Sequence, residues 1–195
     1  MAESPWTLDV ESSDVAHHDT VTLVDGSNFM LCGRAGDIES GVHGMFMLDT
    51  RVLSQWTLLV DGMRIEGLSV VGDGPFAAEF VGRVNPGDTV DAPLVVVQRR
   101  YVGRGLREDL EIRNYGSEVH ELVIGLGIDA DFRNVFDVKA GHDVALPDAL
   151  LVTADGGADL RSAAAARSPV DAVMVRGFPG PTEVGDGWLS WTVSV

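Results

Sequence analysis

The chain has 195 residues, a length that suits one all-β domain, and its 30 acidic and 14 basic residues give a formal net charge of −16. Phosphate groups repel such a polyanion, so we expect neither nucleic acid nor an anionic membrane as a partner. No stretch of 18 apolar residues is present, and the single cysteine, Cys32, permits no internal disulfide, so we expect a cytoplasmic chain.

The chain begins with an acidic, polar segment and then changes character. Residues 1–19 hold few apolar residues and lack the basic start and apolar core of a signal peptide, so they predict a flexible acidic N-terminal arm. From Thr20 onward, short apolar runs alternate with Gly, Asp and Pro. Asp25-Gly26 and Asp61-Gly62 each lie between two such runs and predict tight hairpins, because type I′ turns need positive φ.

Four segments carry the clearest strand patterns. Apolar residues alternate in Leu106–Ile112, in His120–Ile128 and in Trp188–Val195, which is typical of half-buried strands. Leu94–Val97 is continuously apolar and β-branched, which indicates a strand covered on both faces. The turn residues between these runs favour antiparallel hairpins throughout.

One segment is ambiguous. Ala163–Ala166 favours a helix on propensity, but Gly157 and Pro169 leave little room for a stable one, so we predict a strand there. No linker divides residues 20–195. The sequence therefore predicts an all-β fold: one domain, a large antiparallel β-sandwich of two packed sheets with at least ten strands.

Metal and cofactor chemistry finds no support in the sequence. The five histidines show no metal-ligand spacing, and no cysteine pair accompanies them; they are His17, His18, His43, His120 and His142. Neither a nucleophile elbow nor a phosphate-binding glycine loop is present. We therefore predict no metal and no cofactor, and we interpret Cys32 as a small buried apolar residue.

The acidic residues raise the question of a paired-carboxylate site. Asp129, Asp131 and Asp137 lie around Phe132 and Phe136. A glycosidase needs two carboxylates beside a pocket, one of them with a raised pKa, and sequence alone shows neither. We favour structural carboxylates at a strand end and predict no catalytic residue.

Two further segments place charge among apolar residues. Asp49 and Arg51 stand two apart in the apolar run 44–54, as if on one strand face, and Glu108 shares the apolar face of its strand. A buried carboxylate must be paired, because an unpaired buried charge is very costly. The alternative is a solvated strand edge. The candidate partners are Arg51, Arg99 and Arg107, and we predict that Arg51 pairs with at least one carboxylate in a mostly buried setting.

The same segments carry a family likeness. The order Gly36-Asp37-Ile38, Gly44-x-Phe46-x-x-Asp49-Thr50-Arg51-x-Leu53-Ser54 and Leu59-x-Asp61-Gly62 resembles the start of the N-terminal domain of bacterial glycogen-debranching enzymes of the amylo-α-1,6-glucosidase type. Further matching segments follow in the right order. They are Arg107-Glu108-x-Leu110-x-Ile112-Arg113-Asn114-Tyr115-Gly116 and Asp129-Ala130-Asp131-Phe132-x-x-x-Phe136-Asp137-Val138.

The resemblance implies a β-sandwich that packs against a C-terminal (α/α)-toroid, which holds the glycosidase carboxylates and acts on α-glucan. No part of this chain predicts such a toroid, so none of the family's catalytic residues can be assigned to a position here. Asp137 stands where the family often has Glu. The implied partners are the catalytic domain of the same parent chain and an α-glucan or oligosaccharide.

The second hypothesis is a stand-alone carbohydrate-binding or protein-interaction module. Sugar-binding modules usually present exposed aromatic side chains. The four tryptophans are Trp6, Trp56, Trp188 and Trp191. Trp6 falls in the predicted arm and Trp191 on the predicted inward face, so the sequence gives this hypothesis little support.

Overall fold

The computed structural model describes residues 20–39, 41–84, 93–141, 149–163, 169–185 and 187–195. The predicted N-terminal arm lies outside the described residues, as does the predicted strand at Ala163–Ala166 except for its first residue. Within the described part, no helix is long and apolar enough to span a membrane.

The described residues form sixteen strands and one short helix, and the strands pair in four antiparallel sheets. The first sheet, in the order β1-β2-β3-β4, contains β1 (Thr20–Asp25), β2 (Asn28–Gly33), β3 (Gly44–Met47) and β4 (Thr50–Leu53). The second contains β7 (Glu66–Gly72), β8 (Ala77–Val84), β9 (Leu94–Val102) and β10 (Leu106–Asn114), in the order β10-β9-β8-β7.

The third sheet has five strands and the fourth has three. The third contains β5 (Gln55–Val60), β6 (Met63–Arg64), β11 (Glu121–Asp129), β15 (Glu183–Gly185) and β16 (Trp188–Ser194), in the order β15-β16-β11-β5-β6. The fourth contains β12 (Leu150–Ala154), β13 (Gly157–Arg161) and β14 (Ala172–Arg176), in the order β12-β13-β14. The helix α1 (Val135–Lys139) follows β11.

The structure confirms the all-β class, the antiparallel pairing and the expectation of at least ten strands. The sandwich of two packed sheets is not confirmed, because the hydrogen bonds divide the strands into four small sheets. Alternating apolar residues show which face of a strand is buried, but they do not show which strands share a sheet.

The predicted hairpins are present, with one difference in turn type. Asp61 and Gly62 form a two-residue loop at φ +50° and +74°, as the type I′ prediction requires. The first hairpin pairs Asp25 with Asn28, so its loop is Gly26-Ser27, and of these only Gly26 has positive φ. Glycine at the first loop position is typical of a type II′ turn, so the predicted turn type is wrong there.

The four clearest strand predictions are confirmed, because β9, β10, β11 and β16 cover the predicted segments. In β11 the even-numbered residues point inward and are buried. One hydrophobic core collects side chains from all four sheets, including Leu23, Phe80, Ile124 and Leu160. The four sheets thus close around a shared apolar interior.

Candidate functional site

Two buried arginines organise the polar interior of the described chain. The Arg51 cluster comprises Arg51, Asp131 and the carbonyls of Gly41 and His43. Nε of Arg51 donates to both carboxylate oxygens of Asp131 at 3.1 Å, and Nη2 donates to Oδ2 of the same carboxylate. Nη1 donates to the carbonyl of Gly41 at 2.8 Å and to that of His43 at 3.2 Å. The planar guanidinium thereby joins its own strand to two other stretches of chain, residues 41–43 and Asp131.

The β3–β4 hairpin makes room for the Arg51 side chain. A Cβ built on Gly44 would lie 2.5 Å from Cδ and 2.8 Å from Cγ of Arg51, so only glycine fits at that position. The two-residue loop of the hairpin, Leu48-Asp49, has φ +48° and +62°. Glycine is therefore needed at position 44 because it leaves room for the Arg51 side chain. The turn itself contains no glycine.

The segment after β11 docks onto this hairpin through backbone hydrogen bonds. The amide of Arg51 donates to the carbonyl of Arg133 at 2.8 Å, and the amide of Val135 donates to the carbonyl of Asp49 at 2.8 Å. Phe132 is buried at φ +50°, and Asn134 accepts a hydrogen bond from the amide of Phe136 as the N-cap of α1. Asp131 therefore reaches Arg51 from a segment that is held at several points.

The structure separates the other predicted site residues from Arg51. Asp49 is exposed in the hairpin loop, so the expectation that it shares a strand face with Arg51 is wrong. The cause is the turn, which breaks the run 44–54 into two strands. Asp129 is exposed at the end of β11 and accepts from the amide of Ala130 at 2.7 Å, and Asp137 lies in the first turn of α1.

The Arg100 cluster comprises Arg100, Glu108, Gln98, Trp56 and the connector after β2. Arg100 is 0% exposed, and its Nε donates to Oε2 of Glu108 at 2.6 Å while Nη2 pairs with the same oxygen. Trp56 Nε1 donates to the other oxygen of Glu108 at 3.1 Å. Nη1 of Arg100 donates to the carbonyl of Gly36, and the guanidinium lies 5.2 Å from the ring centroid of Phe80. The ion pair is thus enclosed and well satisfied with hydrogen bonds.

Burial shapes the ionisation of this cluster. Desolvation opposes the charge of Arg100, but attraction by Glu108 and other neighbouring groups outweighs it and keeps the pKa above its ordinary value. Desolvation raises the pKa of the Cys32 thiol to about 11, against an opposing effect of Arg100. Desolvation likewise raises the pKa of Asp37, whose Oδ1 accepts a hydrogen bond from the amide of Leu58 at 3.2 Å.

The sequence placed Glu108 on the inward face but named the wrong partners. Arg99 pairs with Glu79 and Glu111. Arg107 pairs with Asp109. Arg51 pairs with Asp131, so the prediction that Arg51 binds a carboxylate in a mostly buried setting is confirmed. A register argument could have found the partner: Leu106 lies opposite Val102 across the turn 103–105, and two residues further along each strand Glu108 lies opposite Arg100.

The chemistry of the two clusters suits structure rather than catalysis. Each carboxylate faces a buried guanidinium, and Glu108 is 8% exposed at its side chain. In the described part of the chain, no group of three or more His, Cys, Asp or Glu side chains is arranged to hold a metal ion. What the arrangement does is cross-link segments that are distant in sequence.

The comparison with known protein families identifies the chain. The model of the N-terminal domain of some glycogen debranching enzymes matches residues 23–195. The chain belongs to this family. No curated protein matches it. In this glycogen-debranching N-terminal domain, several of the segments that carry the resemblance build the two clusters, because Gly36 contacts Arg100 while Gly44 and Asp131 contact Arg51.

Removal of Arg51 tests the first cluster. We expect Arg51→Ala to lower the free energy of unfolding by about 3–5 kcal/mol, because it leaves Asp131 without the cation that neutralises it. Arg107→Ala is the control, since Arg107 has a 74% exposed side chain and such a pair contributes roughly 0–1 kcal/mol. Thermal unfolding provides the measurement. A melting temperature within about 2 °C of wild type would contradict the structural role of Arg51.

Neutralisation of Glu108 tests the second cluster. Glu108→Gln keeps the shape of the side chain but leaves the charge of Arg100 buried and uncompensated, so we expect a loss of about 3–5 kcal/mol in the free energy of unfolding. Glu79→Gln is matched chemically, but its pair with Arg99 is part-exposed and should contribute roughly 0–1 kcal/mol. Urea unfolding compares the two variants. Equal midpoints would show that the burial of Arg100 does not depend on Glu108.

Gly36 tests how tightly the connector is held. It has φ +91°, and a Cβ there would lie 3.1 Å from Oε1 of Gln98 and 3.3 Å from Nη2 of Arg100. Gly26 also has positive φ, at +61°, but a Cβ there would meet nothing within 4 Å. We expect Gly36→Ala to cost about 1–3 kcal/mol more than Gly26→Ala, because only the first adds overpacking to backbone strain. Equal losses of unfolding free energy for the two variants, measured by chemical denaturation, would show that the connector at Gly36 is not tightly held.

Proposed function

We propose that the chain is the non-catalytic N-terminal domain of a glycoside hydrolase of the amylo-α-1,6-glucosidase type, and that it scaffolds a C-terminal (α/α)-toroid. The observation that carries the proposal is the family match over residues 23–195. The proposed substrate of the parent enzyme is an α-glucan. The proposed location is the cytoplasm, in keeping with a lone cysteine that is buried as a free thiol.

The two arginine clusters support a structural role. Of the acidic residues that the sequence raised as a possible paired-carboxylate site, Asp131 binds the buried Arg51, and the inward-facing Glu108 of β10 binds the buried Arg100. A catalytic pair needs access to the two sides of a glycosidic bond. The carboxylates of Asp131 and Glu108 are instead held by buried guanidinium groups, which is why the proposal assigns catalysis to another part of the parent enzyme.

A surface beside the Arg51 cluster suits the proposed catalytic domain as partner. Leu48, in the β3–β4 loop, and Phe136, in α1, are exposed by 56% and 73%. Their segments are joined by the hydrogen bond from the amide of Val135 to the carbonyl of Asp49. Two large apolar side chains presented by adjacent, firmly held segments are a feature of protein interaction surfaces.

The experiment compares the 195-residue chain with the protein encoded by its complete reading frame. We expect the purified chain to show no turnover of a branched maltooligosaccharide, and the longer protein to hydrolyse it. Turnover by the chain alone, abolished by substitution of one carboxylate, would overturn the non-catalytic assignment. A complete reading frame without a further domain would overturn the scaffold role.

The surface has its own variant test in the longer protein. Leu48→Ser combined with Phe136→Ser should lower the thermal stability of the catalytic domain, because the variant adds polar groups to the proposed contact. Phe178→Ser is the control, since Phe178 is fully exposed and lies outside this surface. Equal melting temperatures for the two variants would contradict docking at Leu48 and Phe136.

A further inference from the structure

A cavity of 260 Å³ lies between the third and fourth sheets. Its walls include Gln55, Asp129 and Trp188 from the third sheet, and Leu151 and Leu160 from the fourth. Neither arginine cluster contributes a side chain to it. Pockets for drug-sized ligands occupy about 300–1,000 Å³, so the volume suits one small ring rather than a long chain.

The indole of Trp188 is held flat beside this cavity by the glycines of β11. Trp188 lies opposite Gly127 in the sheet. A Cβ on Gly127 would lie 3.0 Å from Cη2 and 3.2 Å from Cζ2 of the indole, and one on Gly125 would lie 3.7 Å from Cε3 and Cζ3. The six-membered ring therefore rests on bare backbone, and the residue remains 39% exposed. The indole is thus a preformed aromatic surface.

Two polar side chains stand next to the indole. Gln55 and Asp129 are opposite each other in the β5–β11 pairing, one step along the same face from Gly127. Nε2 of Gln55 would lie 2.9 Å from a Cβ on Gly127, which places the amide beside the indole. Asp129 is exposed, and its Oδ1 accepts from the amide of Ala130. The cavity is thus bordered by an amide and a carboxylate beside one aromatic ring.

We propose that this pocket, the Trp188 pocket, binds a single glucosyl unit of an α-glucan. A pyranose ring has an apolar face of C–H groups that stacks on an aromatic ring, and hydroxyl groups around its edge that bond to amides and carboxylates. The Trp188 pocket presents both kinds of partner side by side. The choice of an α-glucan rests on the proposed function, whereas the sugar chemistry rests on the pocket itself.

A purely structural role for Trp188 accounts for only part of this arrangement. An indole laid over Gly127 shields the backbone of β11, and that explains its inner face. It explains neither the cavity beside the ring nor the polar pair at its rim. A glucosyl unit uses all three features.

Calorimetric titration of the 195-residue chain with maltotetraose tests the proposal. We expect saturable binding, with a dissociation constant raised about tenfold by Trp188→Ala and about threefold or more by Gln55→Ala. Phe178→Ala is the control, because it removes an exposed aromatic ring outside the pocket and should leave binding unchanged. Trp188→Phe keeps a ring over Gly127 and guards against loss of folding, and it should retain part of the affinity.

Three outcomes would overturn the proposal: no heat of binding with the wild-type chain, undiminished binding by both Trp188→Ala and Gln55→Ala, or equal binding of cellotetraose. The first two reject the pocket and the third rejects the ligand class. None of them affects the test of the proposed function, because hydrolysis by the longer protein does not require this subsite. If the chain binds maltotetraose through Trp188 but the longer protein hydrolyses nothing, the Trp188 pocket stands and the proposed activity of the parent enzyme is rejected.

Discussion

The burial of two guanidinium groups is the constraint on which the rest of this fold depends. A charged group can leave water only where a countercharge and hydrogen-bond acceptors replace its hydration. Arg51 finds Asp131 and two backbone carbonyls, and Arg100 finds Glu108 and the carbonyl of Gly36. Because the carboxylates and carbonyls come from different segments, satisfying each arginine fixes several segments relative to one another.

These contacts join sheets that are otherwise built locally. The strands pair mostly with their neighbours in the chain, which says little about how one sheet sits against the next. Arg51 ties the first sheet to the segment after β11 of the third. Arg100 ties the second sheet to the connector after β2, and the bond from Trp56 to Glu108 extends that link to β5 of the third. A buried ion pair often adds little net stability over an apolar replacement, so its main effect here is on the relative placement of the sheets.

The sequence predicted what depends on local pattern and missed what depends on register. The strands β9, β10, β11 and β16 and the two hairpins follow from alternation and turn residues alone. Glu108 was placed correctly on the inward face by the same alternation. Its partner Arg100 was missed because an inward arginine beside Gln98 breaks the apolar pattern of β9, and only the pairing across the turn 103–105 reveals it. Asp49 was misplaced because Leu48-Asp49 form a turn without glycine: aspartate tolerates positive φ better than most residues, and Leu48 adopts it as well, which no turn signal in the sequence indicates.

Several of the segments that carry the family resemblance lie in the interior, around the two arginine clusters. Gly36 and Gly44 are needed because a side chain at either position would collide with a cluster arginine or its neighbour, and Asp131 is needed as a countercharge. The identity of each of these residues follows from packing or charge in the interior of the domain. The proposed sugar contacts, Trp188 and Gln55, lie outside those segments, next to the bare glycines of β11. The resemblance is therefore carried largely by residues that fix the interior, whereas the proposed sugar contacts come from other parts of the chain.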